Sequence, residues 1–249
     1  MIEQALEIPV AGTTTQALLF RPGEGDYPGI LFLTDVWGIR PANIGMARRL
    51  AEKGFAVLMP NCFFRYARNA PDGFQPEDEE EQNRVIQQLF AALPPPQQVS
   101  DGAAYVDFLL NQPGVKPGKV GVVGHCFTGQ IGLRIAAAVP DRIAAVASFH
   151  GGWLAIDGPD SPHLLLPKIT ARLYFGHADN DSLMPQAWIE RLEEALRDWR
   201  GAFQSEVYKG AQHGWTVPGR GVYNELQAER AFEKEVEFFD ATLKDQPGG

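Results

Sequence analysis

Val120-Gly121-Val122-Val123-Gly124-His125-Cys126-Phe127-Thr128-Gly129 joins a short apolar run to a stretch of small residues that continues to about Ala138. The apolar run reads as a buried strand, and the small-residue stretch as a helix packed closely on a sheet. A sharp strand-to-helix turn between them has to lift residue 126 above the sheet edge. The crowding this causes is relieved by small residues two before and two after the lifted one. Gly124 meets the first requirement, Thr128 stands where glycine is more usual, and Gly129 allows close helix–sheet packing. The helix N-terminus beyond Cys126 favours an anion, and so assists a thiolate or an oxyanion. A small buried cysteine at a tight turn has the same local pattern. Its surroundings in the chain decide between the two.

Outward from this turn, short apolar runs alternate with amphipathic stretches. Residues 5–10 and 16–20 read as a hairpin through Gly12-Thr13-Thr14. Gly29–Thr34 and Phe55–Met59 read as buried strands, with a helix over about 43–53 between them that Gly54 ends in a left-handed conformation. Residues 60–76 read as irregular, and Pro76–Glu81 as an acidic helix start. Pro94-Pro95-Pro96 is expected to end that segment, and Ser100 to cap a helix reaching about Asn111. Further strands are expected at Ile143–Phe149, Ala171–Phe175 and 203–208, with helices over about 186–199 and 222–243. Pro247-Gly248-Gly249 reads as a frayed tail. Alternation of this kind predicts an α/β architecture with a mostly parallel sheet covered on both faces, as a single domain over residues 1–249.

A nucleophile at such a turn needs an acid and then a histidine later in the chain, each in a loop after a strand. Of the five histidines, His213 in Gly210-Ala211-Gln212-His213-Gly214-Trp215 lies between the last strand and the last helix, where the base belongs. His125 points away from the site if Cys126 points up. His163 sits in a polar loop and is read as solvated, His177 as bonded locally, and His150 either lines the site or packs. The acid lies in Gly176-His177-Ala178-Asp179-Asn180-Asp181. Counting forward from the strand favours Asp179 and counting back from Pro185 favours Asp181; Asp179 is preferred, because the strand end fixes where its side chain emerges. Trp37, Phe63, His150, Trp153 and Trp215 are candidates for a substrate pocket. Cys62 reads as a buried structural thiol.

With 31 acidic against 22 basic residues, a formal charge of −9 and no basic stripe, the chain is not expected to bind nucleic acid. No basic leader runs into an apolar segment and no stretch is long enough to span a membrane, so a cytoplasmic location is expected. Two cysteines make no disulfide framework. No histidine pair has metal spacing, so neither a metal nor another cofactor is expected. The expected partner is a small molecule, and the expected state a monomer or small homo-oligomer.

These residues resemble the dienelactone hydrolase family across nearly the whole chain, from Gly29 to the last helix. The likeness rests on Gly124, Cys126 and Gly129, on Asp179 after its strand, on His213 before Gly214, and on Asp35-Val36-Trp37-Gly38 after the first parallel strand. The resemblance implies an α/β-hydrolase fold and hydrolysis of an ester or lactone through Cys126, His213 and Asp179. It implies an oxyanion hole from the backbone N–H groups of Val36 and Phe127. Asp35 would sit beside the thiol, where its charge restrains thiolate formation until substrate arrives (the favoured reading), or it acts as the base that activates the thiol, or its short side chain only bonds loop backbone. Asp35 is one methylene shorter than the family's usual glutamate, the turn through Asp181 is about two residues longer, and Val217 stands where the family carries an arginine after its histidine. Arg84 and Arg220 are the nearest alternatives. General carboxylesterase or thioesterase activity, or ligand binding without turnover, are the competing expectations.

Overall fold

The computed structural model describes residues 1–66 and 78–244. The expectations for the rest of the irregular segment, for the first residues of the acidic helix start and for the C-terminal tail lie outside the described residues.

Strand β1 (Ile2–Val10) and strand β2 (Thr13–Arg21) form a longer hairpin than the sequence suggested. Its turn is Ala11-Gly12, both at positive φ, the geometry that matches the natural twist of a two-residue hairpin. Then follow β3 (Gly29–Leu33), α1 (Pro41–Glu52), β4 (Ala56–Pro60), α2 (Glu79–Ala92), α3 (Pro95–Leu110), β5 (Val120–His125) and α4 (Thr128–Ala138). The chain continues through β6 (Ile143–Phe149), a 3₁₀ segment (Pro162–Lys168), β7 (Arg172–Asn180), α5 (Gln186–Trp199), β8 (Phe203–Gln212) and α6 (Glu225–Phe239), closing on a π turn (Asp240–Lys244).

The eight strands form one sheet in the order β1-β2-β4-β3-β5-β6-β7-β8. Only the two pairings made by β2 are antiparallel. Side chains alternate cleanly through the sheet, as a two-residue period requires. Leu31, Leu33, Leu58, Val122 and Leu173 face one core beneath α3, α4 and α5. Ile30, Phe32, Val57, Val123 and Tyr174 face the other, beneath α1 and α6. An α/β-hydrolase fold is the result, with three fully buried strands, β4, β3 and β5, side by side in the middle of the sheet.

Two helix starts differ from expectation for one reason. Proline is tolerated in the first turn of a helix, where its missing N–H would have no intrahelical partner. Pro41 therefore opens α1 earlier than expected, and Pro95-Pro96 open α3 rather than ending a segment, which leaves Ser100 inside that helix. Gly102 of α3 is required by its neighbour: a β-carbon there would stand 2.3 Å from Ile135 Cγ1 of α4.

Candidate active site

Because Leu33 of β3 pairs in register with Gly124 of β5, the two chains leave the sheet together at its carboxyl edge. Asp35-Val36 and Cys126-Phe127 thus emerge side by side. Cys126 holds φ at +61°, a left-handed conformation that costs a residue with a β-carbon about 1 kcal/mol. The surroundings over-determine it. The Cys126 N–H donates to Phe149 O at 3.1 Å, and the Gly129 N–H donates to Cys126 O at 3.1 Å. A β-carbon on Gly124 would lie 2.4 Å from Thr128 O, and one on Gly129 2.3 Å from Ser148 Oγ. Glycine is obligatory at both places. Thr128 substitutes for the usual small residue by joining the turn: its hydroxyl accepts from the His125 N–H at 2.9 Å and lies 3.1 Å from Leu33 O, binding the elbow to β3.

His213 Nε2 lies 3.0 Å from Cys126 Sγ, and Nδ1 lies 2.7 Å from Asp181 Oδ2. Cys126 is 8% exposed, enough for a reactant to reach it from one side only. Burial pushes the His213 imidazole down, but the Cys126 sulfur and the Asp181 carboxylate outweigh it and raise the group to about 10. Both interactions favour the protonated form of the imidazole.

The aspartate preference needs correction. Strand β7 runs on to Asn180, five residues beyond the apolar run that marked its expected end, and pairs with β8 over that length. Asp179 is therefore still a strand residue, and its carboxylate accepts the Gly210 N–H of β8 at 3.0 Å. Asp181 is the first residue off the strand. Its Oδ1 accepts the Leu183 N–H at 2.8 Å, which fixes the carboxylate and leaves Oδ2 for His213.

Asp35 is buried and held by Arg40, whose guanidinium donates to both carboxylate oxygens at 3.0 and 2.7 Å and to Asn43 Oδ1 at 3.1 Å. Burial raises the Asp35 carboxyl, while Arg40, Arg220 and the Trp37 N–H pull it down. An isolated negative charge beside the thiol is thus not what the fold presents. Arg40 offsets it and is itself within electrostatic range of Cys126. Sequence reasoning missed Arg40; its signal was a cation set in an apolar loop immediately before the helix-opening Pro41. Arg220 lies over the Trp37 ring at 4.7 Å. Arg84 is an exposed residue of α2 paired with Glu81, and takes no part.

Of the five pocket candidates, only Trp153 keeps a partly exposed face. It meets Phe90 of α2 edge-on at 5.3 Å, and Phe90 stacks on Phe127 at 4.3 Å, so three aromatic rings gather next to the Cys126 turn. Trp215 is fully buried against Tyr208, and Phe63 and Trp37 belong to the core. His150 is fully buried behind His213 rather than lining the mouth.

His125 is buried beneath the elbow, where burial lowers it to about 4 against the pull of the Leu33 carbonyl. His177, stacked on Phe175, is likewise lowered to about 4 by burial, opposed by Asp181. His163 is not simply solvated: Nδ1 bonds Ser161 Oγ at 2.7 Å. A cavity of about 30 Å³, lined by His125, Phe149, Thr216 and Glu235 among others, lies on the α6 side of the sheet. Among the described residues there is no cluster of side chains suited to a metal, and no helix long and apolar enough to cross a membrane.

The comparisons with known proteins bear on the family and the fold. A Synechocystis sp. protein carrying the name carboxymethylenebutenolidase is 29% identical over 223 residues, 88% of each chain. A Klebsiella pneumoniae structure bearing the dienelactone hydrolase name shares the fold at a TM-score of 0.84 with 21% identity, covering 96% of this chain and 98% of that one. A dienelactone hydrolase-like promiscuous phosphotriesterase from metagenomic libraries shares it at 0.81 with 21% identity, covering 97% and 98%. The family model described as "Dienelactone hydrolase family" matches residues 15–243, and by that match the chain belongs to the dienelactone hydrolase family.

Proposed function

We propose that the protein hydrolyses a carboxylic ester or lactone by acyl transfer through a triad of Cys126, His213 and Asp181. The observation that carries this reading is the pair of contacts on His213, 3.0 Å to the Cys126 sulfur and 2.7 Å to the Asp181 carboxylate. A nucleophile within hydrogen-bond reach of a base, itself oriented by a third group, is the arrangement covalent acyl transfer requires.

The Cys126 thiolate attacks the carbonyl carbon, and the carbonyl oxygen becomes an oxyanion. The Val36 and Phe127 N–H groups have no hydrogen-bond partner among the described residues and emerge together beside Cys126. They are the donors for that oxyanion, each worth on the order of 10²–10³ in rate. The C–O bond breaks, and the imidazolium of His213 gives its proton to the departing oxygen. In a lactone that oxygen stays tethered to the acyl group. Water then attacks the thioester while His213 takes its proton, and the C–S bond breaks to release the acid and the Cys126 thiolate, which restores the starting pair. Asp181 holds the Nδ1 proton throughout and stabilises the imidazolium.

Phe90, Phe127 and Trp153 form an apolar wall for the substrate, a small molecule, and the acidic surface disfavours polyanions. The test is turnover of a panel of aryl esters, lactones and thioesters by the wild type and by Cys126→Ala. Loss of activity by roughly four orders of magnitude or more is expected in the variant. Substantial turnover without the thiol would overturn the reading.

A further inference from the structure

His150 has no part in the acyl-transfer scheme, yet its construction carries costs that packing alone does not explain. It is fully buried, holds φ at +40°, and leaves Nδ1 without a partner among the described residues. A non-glycine residue in that region is strained by on the order of 1 kcal/mol or more. Backbone and ring are nonetheless fixed by three contacts. The backbone N–H donates to Gly176 O at 2.7 Å, Nε2 lies 2.7 Å from Thr216 Oγ1, and the ring meets His213 edge-to-face at 5.3 Å and 72°.

His213 is held differently. Its bond to Asp181 fixes one nitrogen only and leaves a pivot about which the imidazole can roll, carrying Nε2 away from the sulfur. A second constraint has to come from packing. We propose that His150, locked by Thr216, is a positioning residue for His213: the His150 ring backs the imidazole and holds Nε2 on Cys126. Thr216 lies three residues after His213, so the same hydrogen bond also ties the loop carrying the imidazole to the end of β6. A phenyl ring would fill the space but would lack the bond that sets its plane. Burial, with His213 and His125 close by, holds His150 well below the ordinary imidazole range, so the positive charge stays on His213 alone. The ionisable groups facing His213 are Cys126 from the β5 turn, Asp181 from the end of β7 and His150 from β6. Arg40 acts on Cys126, His125 faces His150, and His177 faces Asp181.

The inference rests on the acyl-transfer reading, and the experiment separates the two. Thr216→Val removes the hydroxyl and keeps the shape, Thr216→Ser keeps the hydroxyl, and His150→Phe keeps the ring without the bond. In Thr216→Val and His150→Phe, kcat for an aryl ester is expected to fall about tenfold with KM within about twofold, since a small misplacement of the base acts on chemistry rather than binding. Thr216→Ser is expected to restore kcat. The pH titration of the His213 ring, followed by NMR, is expected to move in the first two variants and not in the third. An unchanged kcat and titration in a folded Thr216→Val protein overturns the proposal, as does a loss of kcat with the His213 titration unmoved. The titration needs no turnover, so it reads positioning even if Cys126→Ala, assayed alongside, shows that the nucleophile lies elsewhere. If Thr216→Val fails to fold, the same outcomes are read in His150→Phe.

Discussion

Cys62 and Cys126 stand at the same edge of the same sheet, just beyond the ends of β4 and β5, on either side of β3. Both are buried, at 4% and 8% exposure. Neither burial nor place in the topology distinguishes them. Their electrostatic surroundings do. The Cys62 thiol points at Pro60 O, 3.8 Å away, and burial together with the nearby Asp101 carboxylate pushes it far above the ordinary thiol range. Cys126 sits on a left-handed turn that lifts it toward His213, with Arg40 in range and a helix N-terminus beneath it. What separates the two thiols is the basic group placed against Cys126 and the backbone that aims it; Cys62 has neither.

The largest effect that would break this contrast concerns how that basic group is held. Asp181→Asn is expected to lower kcat by about 10³–10⁴, because the imidazole loses the partner that fixes its tautomer. Asp179→Asn, whose amide oxygen still accepts the Gly210 N–H and which loses only the charge on that bond, is expected to stay within about threefold, with at most a small loss of stability. Steady-state kinetics of the two variants checks this, and the reverse ranking would overturn the geometry of the acid.

Differential alkylation sharpens the contrast directly. Iodoacetamide at pH 7, followed by peptide mass spectrometry, is expected to label Cys126 at least about 100-fold faster than Cys62 in the folded protein. Arg40→Gln is expected to narrow that ratio several-fold, since Asp35 is then left as an uncompensated negative charge near the thiolate. Asp35→Asn is expected to widen it, leaving Arg40 unopposed. Equal ratios in both variants would remove Arg40 from the account of Cys126 reactivity.

The smallest effect tests burial without a partner on the far side of the sheet. Glu235 of α6 lines the cavity near His125, and its Oε1 has no hydrogen-bond partner among the described residues. Burial raises its carboxyl to about 8, with Arg49 opposing. Between an unfolded value near ~4.3 and a folded value near 8, the native state binds more protons than the unfolded one, so stability falls as pH rises through this window. Glu235→Gln abolishes that loss. Its Tm is expected to exceed the wild type's by several degrees at pH 8.5 and to match it within a degree or two at pH 4.5. Calorimetry at the two pH values decides it, and a constant difference would mean that the carboxylate does not titrate there.

Much of this was legible in the sequence. The strand at Ile143–Phe149 and the helices over 128–138 and 186–199 have structural ends that coincide with those read from their patterns, while the strand before Cys126 starts at Val120 as expected and runs two residues past the apolar run, to His125. The pairing of Cys126 with His213 follows from chain order and loop placement. The acid did not follow, because apolarity marks where a strand is buried rather than where its hydrogen bonding stops. Ala178, Asp179 and Asn180 extend β7 into a polar stretch with no hydrophobic signature. The aromatic candidates failed for a related reason. A tryptophan near a catalytic loop reads alike whether it faces the site, as Trp153 does, or anchors the loop from beneath, as Trp215 does. Arg40 was hidden because its role depends on a partner five residues back, across a turn whose shape the sequence does not specify.

The Thr128 hydroxyl that ties the elbow to the Leu33 carbonyl has a consequence for how such an enzyme is altered. It fastens the strand leading to the nucleophile and the strand leading to Val36 into one mechanical unit, anchored in both cores. The aromatic cluster is built only partly from that unit: Phe127 belongs to the elbow, while Phe90 comes from α2 and Trp153 from the loop after β6. The elbow and two of the three clustered rings, Phe90 and Trp153, are therefore assembled from separate parts. Redesign of the α2 surface and of the loop around Trp153 can redirect which acyl groups are accepted while the attacking geometry keeps its alignment.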